Sequence, residues 1–206
     1  MGRVSTASGG GKTFKQPDAG THAARCIGII DLGTQEGEWQ GEPTRRNQVI
    51  VRWELPFETE EFDGVTKPLI VSKFYTNSLN EKATLRKDLE SWRSKPFTAE
   101  EMLKGFDLEN IIGKCCQLSI VHTDKGKAKV VGVSAMAKGM TCPAQFNDSV
   151  VFWIEPWNDN KFEALPEFYK DLIRRSEEYR ELNNVGRGET GYARRIDLPN
   201  DDDIPF

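Results

Sequence analysis

The sequence predicts a mainly β fold, a small barrel of strands interrupted by a helical insert and followed by a helical appendage. Three observations predict it. Short apolar runs recur with period-two alternation, a helical patch falls between the third and fourth runs, and the pattern changes after Ala137. At 206 residues and 23.3 kDa, the chain can bury roughly 70% of the surface its unfolded form exposes, so its core needs no disulfide or metal staple. Hydrophobic residues make up 37% and the mean hydropathy is -0.57, which suits a real core with polar extensions.

Residues 1–18 are rich in Gly, Ser, Thr and Lys with Phe14 as the lone large apolar group, and are read as a flexible N-terminal arm. The first strand is expected from Ala23 to Leu32, carried by Cys26, Ile27, Ile29 and Ile30. A polar stretch from Gly33 to Thr44 reads as a loop. Gln48 to Leu55 is the clearest alternation: Val49, Val51, Trp53 and Leu55 share one face, Gln48, Ile50, Arg52 and Glu54 the other. Beyond an acidic loop with Asp63-Gly64, a third strand runs from Pro68 to Thr76.

Two helix starts follow. Ser78 with Glu81 and Thr98 with Glu101 both fit a capping box, in which a hydroxyl takes an orphan amide and a carboxylate reaches back. Leu85, Leu89 and Trp92 fall on one helical face, which Pro96 ends; Met102 and Leu103 follow the second cap, and Gly105 closes that helix. Lys114 to His122 and Lys127 to Ser134 are the remaining strands, joined by Asp124-Lys125-Gly126. The order strand, strand, strand, helix, strand, strand is that of an OB-fold, a five-stranded Greek-key β-barrel. An α+β sandwich fits the same order. After the barrel, Val150 to Ile154 is a short apolar run, and a helix is expected near Pro166 with Phe168, Leu172, Ile173 and Tyr179 on one side. The organisation is then an arm over 1–18, a barrel over 19–137, an appendage over 138–184 and a linker with an acidic tail over 185–206.

Several function classes are not expected. No apolar run approaches the ~18 residues that span a bilayer, and no hydrophobic stretch follows the start, so a cytoplasmic protein is expected. Cys26, Cys115, Cys116 and Cys142 form no C-x-x-C pair, and His22 and His122 complete no zinc spacing. Buried free thiols in a reducing compartment are the reading, with Cys115 and Cys116 on opposite faces of their strand. Gly9-Gly10-Gly11-Lys12-Thr13 resembles the end of a phosphate-binding loop, but Thr6 stands where its first glycine is required. No hydrolase or metalloprotease motif is present, so neither an enzyme nor a cofactor is expected.

The net charge of -4 is unevenly placed. The last ten residues hold four Asp and no Lys or Arg, which leaves residues 1–196 formally neutral. The acidity therefore does not argue against a nucleic-acid partner for the body. The tail ends in Asp201, Asp202, Asp203, Ile204, Pro205 and Phe206, three carboxylates before an apolar tip. Such a tip is expected to act as a hook: the Phe ring fills an apolar pocket, a basic group pairs with its carboxylate, and the Asp run meets a basic rim.

This hexapeptide resembles the carboxy-terminal tip of bacterial single-stranded DNA-binding proteins. The resemblance covers six residues, and the body departs from the usual bacterial form. Its helical insert is long, and the appendage stands where a Gly/Gln/Pro-rich linker is usual, as in a phage- or prophage-encoded relative. The resemblance implies a barrel that holds single-stranded DNA without sequence preference in replication, recombination and repair. It implies a tip that recruits partner proteins such as exonuclease I, a restart helicase, a recombination mediator or a clamp-loader subunit. It also implies multi-barrel assembly, so a homo-oligomer is among the expectations.

Single-strand binding needs cations along the backbone and aromatic faces for bases; single-strand-binding OB-folds are the standard example of this. The candidate cations are Arg45, Arg46 and Arg52 on the second strand, Lys67 and Lys73 on the third, and Lys125, Lys127 and Lys129 on the last hairpin. The candidate aromatics are Trp39 in the first loop, Trp53, and Tyr75, which shares a face with Lys73. Trp53 also shares a face with Val49 and Val51, which suits core packing. The lysine hairpin also fits a merely solvated turn, and Trp92 is read as core. The acidic tail is expected to compete with DNA for the basic groove. An adaptor or decoy that displays the tip without coating DNA is the alternative; a nuclease subunit is a third reading for which no acidic metal cluster is visible.

Overall fold

The computed structural model of the chain describes residues 15–184. Six strands form one sheet: β1 (Gly20–Trp39), β2 (Glu42–Phe62), β3 (Val65–Thr76), β4 (Cys115–His122), β5 (Ala128–Ser134) and β6 (Val150–Phe152). The hydrogen-bonded order is β3-β2-β1-β4-β5, all antiparallel, and β6 adds to β1 in parallel. β1 serves two antiparallel partners, β4 over Gly20–Arg25 and β2 from Arg25 to Trp39. Register shifts at Cys26/Gly28 and Asp31/Gly33 bend β1 between them. β6 takes the edge that β4 leaves. A Cβ on Gly28 would lie 3.2 Å from the Val150 carbonyl, so glycine permits that approach.

The expected alternation on β2 is present, and both of its faces are covered. Val49, Val51, Trp53 and Leu55 are buried in the inner core, while Ile50 belongs to a second core on the outer face. The inner core is closed by α1 (Thr84–Arg93), whose Leu85 and Leu89 are buried and whose Trp92 Nε1 donates to the Cys115 carbonyl at 2.8 Å. This helix lies against β3 and β5, whose facing edges are not hydrogen-bonded to one another. The second core is built by β6, α3 (Asp159–Glu163), α4 (Glu167–Arg174) and α5 (Glu177–Asn184). Phe152, Phe162, Leu172 and Ile173 meet Ile30, Leu32 and Ile50 there. The appendage is therefore a layer of the fold, and at ~1.5–3 kcal/mol per buried large side chain its removal would expose a costly face.

Several expectations need correction. Gly33 to Thr44 is not a loop: β1 and β2 continue as a ribbon to a two-residue turn at Gln40 (φ 51) and Gly41 (φ 85), both left-handed as a type I′ hairpin requires. Ser78 and Glu81 form no capping box. The Ser78 hydroxyl instead accepts from the Asn80 amide, Asn80 Oδ1 accepts from Lys82, and α1 starts later, after Ala83. The box at Thr98 and Glu101 does form, at the start of α2 (Ala99–Lys104). A helix does begin at Pro166, the N-cap of α4, and Phe168, Leu172, Ile173 and Tyr179 do face the second core; Tyr169 is buried there as well, and a break at Ser176 precedes α5. The arm shrinks at its inner end. Lys15 Nζ donates to the Thr59 carbonyl, the Ala128 amide donates to Gln16 Oε1, and His122 Nε2 meets the Pro17 carbonyl. Residues 1–14, the linker and the tail with Asp201 to Phe206 lie outside the described residues.

Candidate nucleic-acid interface

The predicted cations and aromatics divide into a buried set and two exposed ends. Contrary to expectation, Trp53 and Tyr75 are buried, and Arg52 and Lys73 are half-buried beneath helices. Trp53 is 1% exposed, packed beside Trp92 with ring centroids 6.3 Å apart, because its alternating neighbours all face the inner core. Tyr75 is 4% exposed. Its hydroxyl donates to Asp88 Oδ2 at 2.7 Å, and Lys73 Nζ meets the same oxygen at 2.9 Å. Burial pushes the Tyr75 phenol well above its usual range, and the neighbouring Asp88 carboxylate adds to that. Lys73 and Tyr75 thus neutralise and satisfy a carboxylate inside the fold. Arg52 lies under α4, its guanidinium carbon 5.7 Å from the centre of the Tyr169 ring. The β2–β3 face on which barrels of this order commonly take ligands is covered at Ile50 and Phe74 by the appendage.

The first exposed end is the β2–β3 ribbon together with the β4–β5 hairpin. Residues 15–17 tie the two, contacting Thr59 on one side and His122 and Ala128 on the other. This end brings together Lys67, Lys125, Lys127 and Lys129, with Lys67 and Lys125 exposed. It also holds two aromatics that the sequence reading passed over, Phe57 at 66% and Phe62 at 36% exposure. The signal was available: large rings stand among Glu58, Glu60, Glu61 and Asp63, where a core gives them no reason to be. A left-handed Asp63-Gly64 turn (φ 50 and 77) closes this ribbon. Its carboxylates leave the lysine hairpin as the more positive part.

The second end is the tip of the β1–β2 ribbon, with Arg45 and Arg46 exposed; Trp39 closes the strand there. Roughly 35 Å of extended β2 separates Arg46 from Phe57, so the two ends are distinct. Thr34 pairs with Asn47 and Glu36 with Arg45, which puts these four on one face. α5 lies over that face. Arg45 Nε donates to Glu177 Oε1 at 2.6 Å, and Thr34 donates its amide and its hydroxyl to the two oxygens of Glu178, each at 2.6 Å. The Arg45 guanidinium holds the Glu177 carboxyl below its usual range. For Glu178, partial burial pushes upward but is outweighed by the Thr34 donors and Asn47, and its carboxyl too is lowered.

Among the described residues no group of three or more His, Cys, Asp or Glu is arranged to hold a metal ion. No described helix is long and apolar enough to cross a membrane. All four cysteines are free thiols, Cys116 buried and Cys115 half-buried on opposite faces of β4. No protein-family model matches this chain, and no curated protein matches it.

Proposed function

We propose that this protein is an OB-fold barrel that binds single-stranded DNA without sequence preference and recruits other proteins through Asp201 to Phe206. The observation that carries the reading is the topology. β1 is shared between β2 and β4, a helix sits between β3 and β4, and the β3 and β5 edges face each other across that helix. A partly open five-stranded barrel has this plan, and its last hairpin commonly borders the strand. The lysines of that hairpin and the exposed rings of Phe57 and Phe62 supply the two things a single strand needs, charge along the backbone and faces for bases. The hexapeptide adds support through its resemblance to the tips of bacterial single-stranded DNA-binding proteins, and the recruitment of repair and replication partners follows from it.

Fluorescence anisotropy with labelled oligothymidylate tests the reading. Binding is expected to weaken steeply with salt and to resist duplex competitor. Replacing Lys127 and Lys129 by Ala is expected to flatten the log-log salt slope by ~0.7 for each phosphate left without its cation. Absence of binding at low salt would remove the DNA function. The covered β2–β3 face favours the adaptor reading as the second one, and under it a tip-binding protein would still be captured. Replacing Phe206 by Ala is expected to abolish that capture and leave DNA binding intact.

A further inference from the structure

We propose that the face of the β1–β2 ribbon formed by Thr34, Asn47 and Arg45 is a phosphate-binding site for the DNA backbone, occupied in the unbound protein by the two carboxylates of α5. This rests on the single-strand-binding reading and adds a second contact site to it, away from the lysine hairpin.

The face is equipped for anions. Gly33 adopts φ +67, which turns the chain so that the Thr34 amide and hydroxyl point the same way. Asn47 stands opposite Thr34 and helps hold the Glu178 carboxyl below its usual range. Two residues further along, Arg45 grips Glu177 through Nε and a terminal nitrogen, the fork geometry that suits a carboxylate or a phosphodiester equally. A phosphodiester carries one negative charge and two free oxygens, as each of these carboxylates does. Exchange of one for the other keeps every donor satisfied and the local charge unchanged.

The occupant is docked at the edge of the fold largely through polar contacts. α5 contains no buried residue, and Arg45 is 71% exposed on its side chain. Tyr179, stacked on Phe162 at 5.8 Å, is its apolar anchor, and Arg180 to Glu36 at 3.3 Å is a surface pair of small worth. Glu177 and Glu178 are adjacent like charges that oppose one another at this site. Short, exposed, polar-docked elements are the ones that open at low free energy.

The test is a mutant cycle on the full chain, read by anisotropy with labelled oligothymidylate. In the parent protein Arg45→Ala is expected to change affinity less than about twofold, since Glu177 already neutralises that charge. Glu177→Gln with Glu178→Gln is expected to tighten binding several-fold and to steepen the salt slope by ~0.7 for each phosphate newly neutralised. In that background Arg45→Ala should cost about tenfold. The control pair Glu163→Gln with Glu167→Gln removes the same charge elsewhere. If the control tightens binding as much, or if Arg45→Ala is silent in both backgrounds, the site is overturned while the binding function stands. If no variant binds oligothymidylate, the function itself fails and the site with it.

Discussion

Lys73 and Tyr75 stand on the inner side of β3 and converge on one oxygen of Asp88, which α1 delivers to the core. The lysine ammonium also lies 5.2 Å from the centre of the tyrosine ring. With side chains 12% and 15% exposed, Lys73 and Asp88 form a mostly buried pair. Removing Lys73 leaves the mostly buried Asp88 carboxylate without this cation, held by the Tyr75 hydroxyl, at a cost of up to about 3–5 kcal/mol. Lys73→Ala is therefore expected to lower the unfolding midpoint in urea sharply, while the fraction that remains folded binds oligothymidylate as the parent does. A loss of DNA affinity with unchanged stability would return Lys73 to the interface. The assignment was legible one residue away. Asp88 falls with Leu85, Leu89 and Trp92 on the buried helical face, and a carboxylate there requires a cation and a donor from the sheet. Spacing alone could not say which strand supplied them, since that depends on how α1 crosses β3.

Strands were legible where one face had to be apolar, and boundaries were lost where both faces were polar. β2 was recognisable from Gln48 to Leu55 because its residues alternate against the inner core. The ribbon from Gly33 to Thr44 lacks apolar alternation, and its pairing is fixed by a tight turn and by α5, neither of which leaves a hydrophobic period. The outer core was half visible as the Val150 to Ile154 run, but nothing in that run says that it lies against Ile30 and Ile50. The helix caps show the same limit. Ser78 and Thr98 head the same motif, yet only Thr98 forms it, because Ser78 and Asn80 spend their side chains on turns before α1 begins. Thr98→Ala is expected to cost ~1 kcal/mol and Ser78→Ala about half that or less, measured as the shift in urea midpoint. Equal losses at the two positions would mean that a capping box forms at Ser78 after all.

The molecule as a whole is one sheet between two cores, and the two are coupled through the same strands: β1 gives Ile29 to the inner core and Ile30 to the outer. Alkali offers a way to load the inner core. Burial pushes the Cys26 thiol up to about 12 and holds the Cys116 thiol and the Tyr75 phenol well above their ordinary values. All three belong to the inner core. In the unfolded chain the thiols ionise near 9.0 and the phenol near 10.0. Below those values both states hold the same protons and the groups contribute nothing to the pH dependence. Above them the unfolded chain releases protons that the native state keeps, so stability falls by about 1.4 kcal/mol per pH unit for each group. Three such groups exhaust a typical stability of ~5–15 kcal/mol within a few pH units. If the cores are one cooperative unit, the outer core must fail with the inner although it carries none of these groups. Fluorotryptophan labelling reads each separately, Trp53 and Trp92 at the inner core and Trp157 beside Phe152 and Phe162. The native resonances of Trp53, Trp92 and Trp157 are expected to vanish together as the pH rises above roughly 9–10. A Trp157 signal that outlives the other two would make the appendage a separate folding unit, and the sheet would then be two structures sharing a strand.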